Sequence, residues 1–245
     1  RSQPMERVAS ATPTLVPSQL AETCVLLADR IHAAFPGRGI DQHAQWFTQH
    51  VRRVVVEGRR ALEAPLWLRR LSEVGGIAAF SLLVTTSFLC VRRVGDIDNL
   101  PTYLSSLDAF FTVLAATIAG GLTMRSIRHR AEQNRALKEL NKLRSFAHVT
   151  DMLQVSKCPT RLLYREPSCA PGTETDGEVR VMSEYLAFGA ELQSITAKAA
   201  ALYGDWLSDA VVHAAIDDIE RLCADLENKA LQKVLLLEQI HQRIR

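Results

Sequence analysis

The sequence predicts an all-α integral membrane protein, in which a two-helix transmembrane hairpin carries a cytoplasmic helical stalk and a C-terminal helical bundle or coiled coil. Three observations lead there. Two long apolar runs, at about 74–91 and 104–124, are separated by a short polar segment. Basic residues crowd the outer flanks of these runs and are offset by acids between them. Hydrophobic residues make up 47% of the chain and aromatics 6%, with Gly and Pro sparse, which suits Ala- and Leu-rich helices better than short strands joined by turns.

Residues 1–17 contain Pro4, Pro13 and Pro17 with Ser2, Ser10 and Thr12, and no apolar core after a basic start. That composition predicts a disordered tail without a cleavable signal peptide. The sequence begins at Arg1 and not at Met, which fits a partial or processed product or a translation start at Met5.

Residues 18–72 read as amphipathic N-terminal helices. Leu20, Cys24, Leu27, Ala28 and Ile31 recur at three- and four-residue steps, with Ser18 placed to cap the first turn and Pro36 and Gly37 to end it. A second helix is expected from Asp41 through Trp46, Phe47 and Val51 to Val56, until Gly58 or Pro65 interrupts it. It is aromatic and basic, with Arg52, Arg53, Arg59 and Arg60 followed by Trp67, Arg69 and Arg70. Such a pattern describes either a helix lying on an anionic membrane surface or one packing against other helices.

Residues 73–125 form the expected hairpin. Val74 to Val91 is eighteen residues without a Lys, Arg, His or carboxylate, and its apolar side chains favour no face. At about 1.5 Å per residue it spans roughly 27 Å, close to the hydrocarbon thickness of about 30 Å. The second run, Ala109 to Met124, extends back to Leu104 with Asp108 as its only charge, placed near one interface where its cost is small. Between them, Arg92 to Tyr103 includes Asp96, Asp98, Asn99 and Pro101 and predicts a tight connection. Arg125, Arg128, Arg130, Arg135 and Lys138 follow the second run, so the positive-inside rule puts both termini in the cytoplasm. The Arg- and Ala-rich composition points to a bacterial inner membrane.

From 126 to 157 no Gly or Pro interrupts the chain, and Leu137, Leu140, Leu143 or Arg144, Ala147 and Met152 or Leu153 supply a stripe, which predicts a stalk helix continuing the second span. Residues 158–180, with Pro159, Pro167, Pro171 and Gly172, predict a flexible linker. Two antiparallel helices are expected over 181–245, one from about Ser183 to Trp206 and one from Asp209. In the second, Val212, Ile216, Ile219, Cys223, Leu226, Ala230, Lys233, Leu237, Ile240 and Ile244 alternate four- and three-residue steps. This heptad seam fits packing within the chain or against a partner helix.

Chemistry-bearing motifs are scarce. No phosphate loop, dinucleotide fingerprint, nucleophile elbow or H-E-x-x-H occurs. The five cysteines are scattered without C-x-x-C spacing, and neither a metal, a cofactor nor a catalytic residue is assigned. His148 and Asp151, three apart on one helical face, are the nearest approach to a polar site. Asp217, Asp218 and Glu220 lie near the start of the last helix, where its dipole favours acids. Gly75 with Ala79, and Ala116 with Gly120, have small-xxx-small spacing that favours close helix contact in lipid. Thr85, Thr86, Thr112 and Thr117 would line a polar path if hairpins assembled, or would simply bond their own helix. A net charge of +2 gives no concentrated basic face for nucleic acid. The expected partners are membrane lipid and a second copy or another helical protein.

At the level of architecture, two membrane helices with a cytoplasmic helical module are similar to small membrane effectors of bacterial stress or defence systems; no motif carries the comparison. The expected function is a non-enzymatic membrane-anchored scaffold or sensor. The alternative is an oligomeric permeabilising effector or small channel, as the resemblance implies.

Overall fold

The computed structural model describes residues 16–63, 66–94, 100–155 and 173–244, and among them it is all-helical. The α-helices are α1 (Pro17–Ala34), α2 (Gly39–Glu57), α3 (Leu66–Val94), α4 (Leu100–Val155), α5 (Thr173–Trp206) and α6 (Ala210–Ile244), with a short 3₁₀ turn at Gly58–Ala61. The chain divides into two compact units, one of residues 59–136 and one of residues 1–58 with 137–245. Residues 1–15 of the expected tail, residues 95–99 of the polar connection and most of the expected linker lie outside the described residues, whereas Pro17, the last residue of the expected tail, is helical.

The second unit is a helical bundle. Leu20, Cys24, Leu27, Ala28 and Ile31 form the buried stripe of α1, and Ile40, Ala44, Phe47 and Val51 that of α2. The two helices are joined by a turn that Asp41 organises. Its buried carboxylate accepts from the Gly37 N–H at 2.8 Å and the Gln45 amide at 2.8 Å, and meets His32 Nδ1 at 2.9 Å. An acid in the first turn reaching back to a preceding N–H satisfies a donor the helix leaves unbonded. Ser18 does not cap α1: the helix starts at Pro17, whose fixed φ suits a first position, after Val16 and without a side-chain cap. Similarly, α2 starts at Gly39 rather than Asp41. It ends at Gly58, whose φ of 49° and ψ of −140° suit glycine alone.

The apolar face of α2 is therefore buried in the bundle, which corrects the membrane-surface reading for that helix: Phe47 is 1% exposed and stacks on Phe146 of α4 at 4.3 Å. The buried stripe of α4 runs through Leu140, Leu143, Phe146, Ala147, Thr150 and Gln154, while Met152 is exposed. Phe35, just past α1, packs edge-on against Tyr185 and Phe188 of α5.

Helix α5 begins ten residues before the expected Ser183, so the last part of the expected linker is helical. The reason is visible in its core, where Val179 joins Leu186 and Leu237 in one buried cluster. Asp209 caps α6, accepting from Val211 N–H at 2.9 Å and Val212 N–H at 3.1 Å. At Gly189 α5 approaches α4 closely: a Cβ there would sit 1.8 Å from Gln154 Nε2, so the Gln154 side chain would have to shift.

The unit of residues 59–136 contains α3, a continuous 29-residue helix, and the first part of α4, a helix of 56 residues from Leu100 to Val155. The Arg135 guanidinium donates to the Glu63 carbonyl.

Candidate functional site

Two features stand apart from ordinary core packing. The first is the exposed apolar surface of α3 and the first half of α4. Val74, Ile77, Phe80, Leu82, Val84 and Phe88 on α3, and Phe111, Ile118, Leu122 and Ile127 on α4, are all 47–70% exposed. Among the described residues one helix, from Phe110 to Val155, is long and apolar enough to cross a membrane, and its most apolar window has nothing buried inside the protein. Val74–Phe88 is a shorter apolar helical stretch.

The four threonine hydroxyls that the sequence singles out on these helices are internally satisfied. Thr85, Thr86, Thr112 and Thr117 donate to the carbonyls of Ser81, Leu82, Asp108 and Val113, each four residues earlier, at 2.7–2.9 Å. Such bonds let a hydroxyl sit on an apolar helix without any polar path. Gly75 and Gly120 are exposed, and a Cβ on either meets nothing within 4 Å. Ala116 is exposed and Ala79 half-buried, so the small-residue positions are left uncovered by the rest of the described chain at both glycines.

The second feature is a histidine-aromatic ladder between α2 and α4. His43 stacks on Phe146 at 3.9 Å with the rings 5° from parallel, and Trp46 stacks on His50 at 5.3 Å. Because Thr150 Oγ1 donates to the Phe146 carbonyl, His43 Nε2 is the donor toward both that carbonyl at 3.3 Å and the hydroxyl at 3.1 Å. His50 is buried, and its Nε2 has no hydrogen-bond partner; the Glu139 carboxylate stands 3.8 Å away and itself accepts from Lys142 at 2.7 Å. Burial pulls both imidazoles below the ordinary histidine range; at His50 Glu139 opposes this and Lys142 and Arg53 add to it. Tyr203 of α5 is buried with its hydroxyl unpartnered, and burial together with the charges of Glu139 and Glu57 raises its pKa. The only trace of this ladder in the sequence is that His43 and His50 stand seven apart and flank Trp46 and Phe47.

Cys24 and Cys223 are buried, and burial pushes both thiols up to about 12, far from a reactive thiolate. Among the described residues no three metal-ligating side chains gather. His148 is exposed on α4 in a shallow groove with Arg144, Ser145 and Met152, and no hydrogen bond or ion pair joins it to Asp151 among the described residues.

The heptad seam is occupied. Ile216, Ile219, Cys223, Leu226, Ala230 and Leu237 are buried within the bundle, where α6 packs on α5, while the side chain of Ile240 lies outside the described residues. A partner helix could use that seam only by displacing α5.

No protein-family model matches the chain, and neither does any curated protein or solved structure.

Proposed function

We propose that this chain is a membrane-anchored helical scaffold or sensor without catalytic activity, in which α3 and the first half of α4 cross the bilayer as a hairpin and the bundle stands in the cytoplasm. One observation carries the reading: ten large apolar side chains are exposed together on these two helices, whereas the exposed ones of the bundle, such as Leu26 and Leu235, lie on helices whose opposite stripe is buried in a core of the same residue types. Full burial of such a side chain stabilises by about 1.5–3 kcal/mol. Leaving ten of them half exposed in water therefore forgoes on the order of 10 kcal/mol, comparable with the net stability of a whole domain. Lipid removes that cost without any further protein surface.

Orientation follows from charge. Arg52, Arg53, Arg59, Arg60, Arg69 and Arg70 precede the first run and Arg125, Arg128 and Arg130 follow the second, whereas the connection has Arg92 and Arg93 against Asp96 and Asp98. That asymmetry favours cytoplasmic termini, in a bacterial inner membrane by composition. The partner surface of the bundle is then its outer face, where Leu231 and Leu235 of α6 are exposed one turn apart, rather than the filled seam.

Carbonate washing of membranes from cells expressing the full chain tests this. The protein is expected to stay with the pellet; its recovery in the wash as a monodisperse species in plain buffer overturns the reading. Conductance in proteoliposomes separates scaffold from channel: a leak abolished by replacing Thr85, Thr86 and Thr117 with Leu would favour the permeabilising effector.

A further inference from the structure

We propose that Arg125, Arg128 and Arg130 form a collar that selects anionic phospholipid headgroups, an inference that rests on the membrane reading above and adds the lipid class. All three are exposed on α4 directly after the apolar stretch that ends at Met124. At about 1.5 Å per residue they occupy roughly 8 Å of helix axis, which matches the roughly 5–8 Å that the headgroup layer adds on each side of the hydrocarbon core. At about 100° per residue they fan around the helix rather than sharing one face. A lipid annulus has that geometry, whereas a single docked strand or helix would meet one side.

Charge and chemistry fit the same partner. Between Arg125 and Asn134 the only acid is Glu132, 3.5 Å from Arg128, and Arg125 and Arg130 make no ion pair among the described residues. The cations in this band, with Arg135 behind them, are all arginines, whose planar fork binds phosphate oxygens in pairs where an ammonium offers a point charge. Near the other end of the apolar stretch stands exposed Asp108. The helix is therefore polar in the sense a membrane with an anionic cytoplasmic leaflet recognises. Zwitterionic lipid offers the same phosphodiester but places a trimethylammonium beside it, so net negative headgroups gain most.

Spin-labelled lipids report the preference. The full chain, reconstituted in phosphatidylcholine vesicles, receives trace phosphatidylglycerol or phosphatidylcholine carrying the label, and the motionally restricted fraction is measured. Each arginine near an anionic surface favours association by about fivefold at low salt, so the wild type is expected to enrich phosphatidylglycerol at its boundary by about tenfold or more. Molar salt, where screening acts within about 3 Å, should lower the enrichment. The Arg125→Gln, Arg128→Gln, Arg130→Gln variant should restrict both lipids equally while keeping its helical circular dichroism. Equal restriction of the two lipids by the wild type, or enrichment unchanged in the variant, overturns the collar and leaves the membrane reading intact. Failure to restrict either lipid overturns both. Retention of an oligonucleotide through the same arginines, with no lipid preference, also overturns it and marks a nucleic-acid surface instead.

Discussion

The two units treat identical residues in opposite ways. In the bundle Ile31 is 0% and Phe47 1% exposed; on α3 Ile77 and Phe80 are both 70% exposed. The difference is not one of hydrophobicity. It lies in whether the neighbouring sequence supplies a second apolar surface at the matching spacing. Helix α1 has one stripe and finds α2 and α5, whereas α3 is apolar all round and no described helix could cover every side of it. Amphipathic helices select protein as their solvent; helices without a polar face leave that choice to something outside the chain.

Removing one aromatic from each unit breaks the comparison most sharply. Phe146→Ala should cost the bundle about 3–5 kcal/mol, because the ring is 2% exposed and supports both Phe47 and His43. Phe80→Ala should change the unfolding free energy by less than about 0.5 kcal/mol, since its ring touches little of the chain. Chemical denaturation of both variants in detergent checks the pair, and equal losses would mean that the apolar helices are part of one protein core.

A smaller effect is expected at the notch between α4 and α5. Gly189→Ala pushes a methyl group into the space of the buried Gln154 amide, with an expected loss of about 1–3 kcal/mol. Trimming the intruding neighbour in Gly189→Ala, Gln154→Ala should recover part of it in a double-mutant cycle, whereas additive losses would place the strain elsewhere.

Smallest is the pH response, and it belongs to the bundle alone. His43 and His50 titrate below the usual 6.5 because burial disfavours the imidazolium. The unfolded chain therefore binds protons more readily. Stability is complete above about pH 6.5 and falls as pH drops from there through the lowered folded values. The slope has a ceiling of about 1.4 kcal/mol per pH unit per histidine, and solvent screening keeps it lower. Asp41 acts in the same direction at more acid pH. Burial pushes its carboxyl up, but the hydrogen bonds of His32, the Gly37 N–H and Gln45 outweigh this and hold it below 3.8, so its contribution is lost as pH falls through that lower value. Unfolding midpoints measured from pH 7.5 to about 5 should show the first slope, and His43→Gln with His50→Gln should flatten it. An unchanged slope would mean that the ladder is open to water.

What was legible in the sequence was whatever local periodicity encodes. The stripe of α1, the apolar runs and the unbroken passage from the second run into α4 could all be read from residue spacing, because each depends on neighbours within a few turns. The ends of elements were less accessible. Pro17 rather than Ser18 starts α1, and α5 reaches back to Thr173 because Val179 meets Leu186 and Leu237, a contact between residues far apart in the chain. The same limit hid the site. Only folding could bring His43 onto Phe146, set Glu139 beside His50 and seat Gln154 in the gap at Gly189, since each pairing joins residues from different helices. It also decided that the α6 seam faces α5, a matter on which a heptad pattern is silent because the repeat specifies a face and not its occupant. Sequence alone determined which helices are amphipathic and which are apolar all round; tertiary structure decided which faces were filled, because burial is a property of pairs of surfaces and periodicity describes only one.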